Sequence, residues 1–411
     1  MSQTQTVQNN SNKKKIAVFL GGRSPEHDVS VITALQILSA IDPMKYESFP
    51  VYIAPNGEWF IGEVLRKREN YLFKDTSSLT EVTLDISGKK GGALIPKKQP
   101  FFGTATPIPF DVAIPSFHGL YGEDGNIQGL FELANIPYAG MRTMASSLLM
   151  DKAATKYTLQ ALGIPVLPFA ILRRPDQGYL IPEEEIDALL KPLGYPCIIK
   201  PTHLGSSIGV AKVNNAQEAK ACLPAIFEMD DSAIAEPFVE NLIEYNVSVM
   251  KGGVTSAIER PKATDELLDF KQKYMSGSNN KSGDKLGGTK DAGAPVSEGM
   301  LSLTREINPD LPEETSTMLR DYAIKMFEAL NGTGAPRIDF IGNSKTGELW
   351  MNEVNPWPGS IGYFLWEAAA NPILFTDLLT QLIEEALVEN IARSLPVDPV
   401  PEDARLLKRK G

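Results

Sequence analysis

Arg337-Ile-Asp-Phe-Ile-Gly-Asn343 and, past a polar turn, Gly347-Glu-Leu-Trp-Met-Asn-Glu-Val-Asn-Pro-Trp-Pro-Gly-Ser360 form the stretch that decides the fold. Two apolar runs, Ile338 to Ile341 and Leu349 to Val354, flank a turn built from Gly, Asn, Ser and Lys, which predicts an antiparallel hairpin. Side chains alternate along a strand, so Arg337, Asp339 and Ile341 share one face, as do Glu353 and Asn355. With those faces aligned, Asp339, Glu353 and Asn355 gather three hard oxygen ligands at one place. Such a set suits Mg²⁺, which takes one or two carboxylates and completes its shell with phosphate and water. The competing reading is a hairpin with solvated carboxylates, and the rest of the chain must decide between them.

A chain of 411 residues exceeds one small core and predicts two or three domains. Its net charge of −11 argues against a nucleic-acid binder, although a local basic cleft for a nucleotide is compatible with it. No apolar run is long enough to span a bilayer, so no membrane insertion is expected. Cys197 and Cys222 are too few for a disulfide framework and fit no zinc spacing, which points to a reducing, cytoplasmic compartment. The polar start, 1–12, reads as a disordered leader.

Taken in order, Ile16 to Leu20, then Gly-Gly-Arg-Ser-Pro-Glu-His-Asp-Val-Ser, then the apolar-periodic segment Val31 to Ile41 predict strand, glycine turn and helix, an α/β opening. Glu26 in that turn is either a helix-start acid or a site residue. Tyr46 to Ile53, Trp59 to Ile61 and Asp111 to Pro115 are further strands. The last ends in a glycine-dense loop carrying His118 beside Gly119, Gly122 and Gly125, at a strand end where open α/β sheets bind ligands. Lys152 and Lys156 lie on one predicted helix, and the strand Cys197-Ile-Ile-Lys200-Pro201 runs into Gly205-Ser206-Ser207. A lysine at a strand end against small hydroxyl residues is a phosphate arrangement, though not the P-loop order. Glu236 and Glu244 follow on the next strands, either as acceptors for adenine and ribose or as solvated acids. Residues 275–297 have no hydrophobic period and predict a mobile lid or insertion. Met318 to Leu330 and Pro372 to Asn390 are predicted amphipathic helices.

In sequence, these motifs resemble the D-alanine–D-alanine ligases of the ATP-grasp superfamily from about Lys15 to about Leu387. The resemblance rests on Gly-Gly-Arg-Ser-Pro-Glu-His-Asp-Val-Ser, His-Gly-x-x-Gly-Glu-Asp-Gly-x-x-Gln-Gly, Met-Asp-Lys, Lys-Pro-x-x-x-Gly-Ser-Ser-x-Gly-Val, Asp-Phe-x-x-Lys-Tyr, and Arg-x-Asp-Phe with Asn-Glu-Val-Asn-x-x-Pro-Gly. It implies an α/β, three-domain ATP-grasp fold: an N-terminal α/β domain with a parallel sheet over 13–145, a central lobe over 146–245, and a C-terminal lobe over 246–392 with a lid at 267–306, followed by a tail at 393–411. The two α+β lobes grip ATP. By the same resemblance Lys152, Lys200, Ser206 and Ser207 hold ATP phosphates, while Glu236, Phe238, Val239 and Glu244 surround adenine and ribose. Lys273 reaches the transferred phosphate. Asp339, Glu353 and Asn355 become ligands for two Mg²⁺, with Mn²⁺ as a substitute. Glu26 holds the first substrate's ammonium, Ser206 and Tyr274 complete a hydrogen-bonded set that closes the lid, and His118 lies beside that substrate. Arg337 and the Gly359 amide form the oxyanion hole. The implied activity is an ATP-dependent dipeptide ligase acting on small amino acids through an acyl phosphate, with a homodimer through the N-terminal domain by analogy.

Three departures bear on the second substrate. Five residues after the Pro-Gly glycine the family usually has a serine that binds the second carboxylate; here stands Phe364, with Ser360 as a replacement hydroxyl. Pro356 and Trp357 follow the metal Asn where Thr is usual, with Tyr363 and Trp366 close by, and the segment after Tyr274 is long. This predicts a pocket rebuilt between Pro356 and Trp366 for a larger or less polar acceptor. A non-catalytic nucleotide-binding protein is the other alternative; its mark would be lost metal ligands, and Asp339, Glu353 and Asn355 are all present.

Overall fold

Ile16 to Leu20 is apolar throughout because the strand it forms is covered on both faces, every one of its residues being fully buried. The computed structural model describes residues 13–71, 77–88, 91–98, 103–262, 305–395 and 400–406. Strands β1 (Lys14–Gly21), β2 (Tyr46–Ile53), β3 (Trp59–Ile61), β4 (Thr80–Leu84), β5 (Gly92–Pro96), β6 (Ile108–Phe110) and β7 (Val112–Pro115) form one sheet in the order β6-β5-β4-β3-β2-β1-β7. Only β2-β1-β7 is parallel. From β2 onward the ladder to β6 is antiparallel, because short turns such as Pro55-Asn56-Gly57 return the chain directly, whereas a parallel step needs a crossover like the helix His27–Ala40.

The central sheet joins β8 (Ala170–Arg173), β9 (Cys197–Pro201), β10 (Ala211–Val213) and β11 (Ser232–Pro237) in the antiparallel order β10-β9-β11-β8. Helices Glu183–Leu190 and Ala216–Phe227 bury their apolar sides on it. The third sheet joins β12 (Leu242–Met250), β13 (Val254–Pro261), β14 (Arg305–Ile307), β15 (Arg337–Asn343) and β16 (Leu349–Asn355) in the order β14-β13-β12-β15-β16. Tyr245, Val247 and Val249 face the helix Glu313–Ala329, so the alternation of β12 turns Asn246 and Ser248 to the opposite face, where the chemistry lies.

Two packing relations cross the expected domain limits. Met141, Ala145, Leu149, Leu159 and Ile164, on and around the helices Thr143–Met150 and Lys152–Ala161, enter the core of the third sheet, not the central one. The helix Phe375–Arg393 returns to the first domain, packing Leu378, Leu379, Leu382, Ile383 and Ala386 with Ile16, Val18, Leu20 and Ile37. Trp357 and Trp366, expected in an acceptor pocket, are in that same core at 4% and 0% exposure. The rebuilt-pocket expectation is therefore corrected for these two residues: their size fills the joint between first and third domains. Residues 263–304, which carry Lys273, Tyr274 and nearly all of the expected lid, lie outside the described residues.

Candidate active site

The basic side is built on the central sheet. Lys200 ends β9 with its ammonium 2.7 Å from Glu236 on β11, and Lys156, fully buried on the helix Lys152–Ala161, pairs with the other Glu236 oxygen. Burial pushes the Glu236 carboxyl up, but Lys200 and Lys156 outweigh it and hold it down at about 2. Burial pulls Lys200 down, yet Glu236, Glu353 and Glu244 more than offset it, and the ammonium titrates above its ordinary range. The expected adenine acceptor Glu236 is thus 2% exposed and already the counter-ion of two lysines. Lys152, one turn before Lys156, donates to Leu204 O at 2.5 Å, and burial lowers its pKa against the pull of Glu353. Phe238 and Val239 follow β11 in the link to β12; Lys212 sits 3.6 Å over the Phe238 ring.

The acidic side is a row across the third sheet. Glu259, Asn246, Asp339 and Glu353 are register partners on β13, β12, β15 and β16, and Arg337 pairs with Asn355 one step away. Asp339, Glu353 and Asn355 therefore do converge, as the alternation predicts. Asn355 Nδ2 donates to Asp339 Oδ2 at 2.9 Å, and Arg337 forks onto both Asp339 oxygens at 2.6 and 2.7 Å. Burial, opposed by Arg337 and reinforced by Glu353 and Glu259, raises the Asp339 pKa. Two carboxylates in register on neighbouring strands, with an amide side chain beside them, are the hard oxygen donors that suit a divalent cation. The ladder slips between Asp339 and Phe340, leaving Asn352 as an extra residue of β16. Its Oδ1 accepts from Lys200 at 3.2 Å, tying the two lobes together across the cleft. Neither Asn352 nor Lys156 was assigned a role from sequence; the i, i+4 spacing of Lys152 and Lys156 on one helix was the available signal for the latter.

The first domain closes the site. Ser206 Oγ donates to Glu26 Oε1, so this expected pair is formed. Gly119 (φ +73°) lies so close that a Cβ would run into Glu26 Oε2 and Ser24 Oγ, which makes glycine obligatory in the loop. His118, 5% exposed, has Nε2 3.0 Å from Thr33 Oγ1 and Nδ1 3.1 Å from Glu123 Oε1. Thr33 Oγ1 also accepts from the Ser360 amide at 3.2 Å, and Ser360 Oγ donates to Gln36 Oε1 at 2.5 Å. His118 and Ser360 thus belong to one hydrogen-bonded string from first to third domain. After Gly359, Ser360, Ile361 and Gly362 are all left-handed, with φ of 53°, 55° and 57°. A buried Ile in that region is costly, and its packing in the inter-domain core holds it there. Phe364, half-buried on the helix Tyr363–Glu367, carries the Arg305 guanidinium 4.7 Å over its ring.

Sequence reading also missed His203, in the loop between Lys200 and Ser206. Its Nδ1 lies 2.8 Å from Asp230 and its Nε2 3.4 Å from Asp151, which caps the helix carrying Lys152 by accepting from the Ala153 and Ala154 amides. Hydrogen bonds to Asp151 and Asp230 push the imidazole up to about 10.

Lysines on the central sheet and on the helix Lys152–Ala161, facing a row of carboxylates on the third sheet across a cleft, make this an ATP-grasp enzyme, the class that activates a carboxylate with ATP for attack by a nucleophile. Comparison with known proteins narrows the class. The family model described as D-ala D-ala ligase N-terminus matches residues 15–141, and that described as D-ala D-ala ligase C-terminus matches 158–286 and 301–384. A D-alanine–D-alanine ligase of Thermosipho africanus is 33% identical over 373 residues, covering 90% of this chain and 92% of that protein. Among solved structures, the D-alanine–D-alanine ligase of Coxiella burnetii superposes with a TM-score of 0.72 at 24% identity, covering 93% of this chain and 96% of the other. The VanG D-Ala:D-Ser ligase of Enterococcus faecalis does so at 0.67 and 26%, covering 91% and 99%. The chain belongs to the D-alanine–D-alanine ligase family and is an ATP-dependent carbon–nitrogen ligase. No helix among the described residues is long and apolar enough to cross a membrane.

Proposed function

We propose that the protein joins two D-alanine molecules, using ATP and Mg²⁺, and the observation that carries this reading is the convergence of Lys152 and Lys200 on the row Asp339–Glu353–Asn355 with Glu26 and Ser206 closing the opposite wall. Asp339, Glu353 and Asn355 would hold the metal, which when bound supplies charge neutralisation for the migrating phosphoryl group. Glu26 binds the donor ammonium and aims the donor carboxylate at the γ-phosphorus. A carboxylate resists amine attack because its carbon is shielded by negative charge and oxide is a poor leaving group; as an acyl phosphate it has a good one. Lys152 and Lys200 balance charge on the phosphates during the transfer. The acceptor amine then attacks, and Arg337, its plane fixed by the fork onto Asp339, stabilises the tetrahedral oxyanion together with the Gly359 amide. Phosphate leaves as the amide forms.

Phe364 supports a second reading, in which the acceptor differs from D-alanine, because an aromatic ring stands where a hydroxyl would meet a carboxylate. Phosphate release with Mg²⁺, screened over D- and L-amino acids singly and in pairs with products identified by mass, separates the two. The expected result is turnover and dipeptide with D-alanine alone; turnover only with a second, different amine replaces the first reading by the second. A chain that consumes no ATP with any pair is a non-catalytic nucleotide binder.

A further inference from the structure

Once the donor carbonyl is held between Arg337 and the Gly359 amide, the acceptor amine must approach its carbon from the open side, and the rest of the acceptor extends along the wall that follows Gly359. That wall is the left-handed turn Ser360–Gly362 and the helix Tyr363–Glu367, which packs on β12 and β13. The turn stands against Ser248, the register partner of Arg337. At the far end of the wall Arg305 lies flat on Phe364, its guanidinium 4.7 Å over the ring. Arg305 Nη1 is held 2.9 Å from Glu259, which also accepts from Asn246 at 3.2 Å. Glu259 is 3% exposed and belongs to the acidic row that includes Asp339. The opposite edge of the guanidinium is differently placed: Nε is buried and meets no acceptor among the described residues.

An amino-acid acceptor brings a carboxylate toward a sheet face already lined with Glu259, Asp339 and Glu353, and without a cation on the acceptor's side it would be repelled. A guanidinium fixed at one end by an ion pair and stacked on an aromatic face presents its remaining edge in a defined plane, the geometry that binds a carboxylate through two parallel N–H groups. We propose that Arg305, seated on Phe364 and anchored by Glu259, binds the carboxylate of the acceptor and so restricts the acceptor to amines that carry one. The inference rests on the ligase reading above and deepens it: Phe364 is the platform for a cation, and the acceptor is an amino acid, not a larger apolar amine.

The test uses the whole enzyme with D-alanine as donor and compares two acceptors, D-alanine and D-alaninamide, which cannot itself be phosphorylated. Mixed and symmetrical products are separated by mass. Wild type is expected to favour the free acid, and Arg305→Met to raise the acceptor KM by about 30-fold or more while leaving the KM for ATP unchanged, so that preference for acid over amide collapses. Arg305→Lys should restore part of the preference. Because Arg305→Met leaves Glu259 without its arginine, Phe364→Leu serves as a second variant: it removes the platform, keeps the ion pair, and should weaken the acid preference to an intermediate degree. Undiminished preference in both Arg305→Met and Phe364→Leu overturns the proposal while leaving the ligase reading in place. Equal rises in the ATP and acceptor KM values also overturn it, since they mark a structural role. A wild type that forms no dipeptide with either acceptor overturns the ligase reading and this inference with it.

Discussion

A single carboxylate, that of Glu236, decides how three buried charges coexist. Lys156 has no exposure at all and Lys200 little, so each ammonium depends on Glu236 for compensation. Removing one partner of a buried ion pair leaves the other uncompensated, which costs about 3–5 kcal/mol. Glu236→Ala is therefore expected to lower unfolding stability by about that amount in a denaturant titration, besides raising the KM for ATP. The pH sign follows from the same contact. The folded pKa, about 2, lies below the ordinary 4.5, so Glu236 stabilises the fold fully above its unfolded value and loses that contribution as pH falls through 2. Lys200 was legible as a phosphate lysine from its strand end and the Gly-Ser-Ser loop after it, whereas Glu26 in its glycine turn stayed open between helix-start acid and site residue until the family motif was matched. Lys156 was legible only as a helix position, since what gives it a role is a glutamate 80 positions further on.

Strands and helices carried most of what the sequence revealed, and the reason is periodicity. The hairpin was expected from two apolar runs and a turn, and β15 and β16 pair with Asp339 opposite Glu353. The slip that follows was not legible, because a bulge adds one residue without disturbing the apolar alternation around it, and that residue is the Asn352 contact to Lys200. The clip between the phosphate loop and the helix Lys152–Ala161 was invisible for another reason: His203, Asp151 and Asp230 come from three separate segments. This clip sets where Lys152 stands relative to Ser206. His203→Asn is expected to raise the KM for ATP about tenfold with kcat changed much less, the cost of a lost charge-assisted hydrogen bond. Its pKa of about 10 exceeds the ordinary 6.5, so the stabilisation is complete below 6.5 and disappears as pH rises through 10. Thermal melting of wild type and variant should accordingly differ most below about pH 6.5 and converge as pH rises through 10.

For the molecule as a whole, the joint between first and third domains determines how stability responds to pH and how the chain reaches its native state. Glu385, on the helix Phe375–Arg393, accepts from the Gly334 amide at 2.7 Å just ahead of β15. Burial lifts its carboxyl to about 7. The folded state therefore holds a proton that the unfolded chain releases near 4.5, and stability declines between those two pH values by roughly 3 kcal/mol. Glu385→Gln keeps an acceptor for Gly334 without the ionisation, so its stability in chemical denaturation should be flatter over this range and should exceed that of wild type near pH 8. Trp357 and Trp366 show why sequence misjudged this joint: an aromatic beside a predicted site looks like a pocket wall, while its true neighbours lie in the first domain. The return of the last long helix to β1 also has a consequence for synthesis. The first sheet leaves the ribosome early, but the face it shares with the helix His27–Ala40 stays partly uncovered until residues 375–386 emerge, a delay of roughly 15–50 s at ordinary translation rates. A chain truncated before the final helix is therefore expected to expose that apolar strip and to aggregate where the full chain stays dispersed.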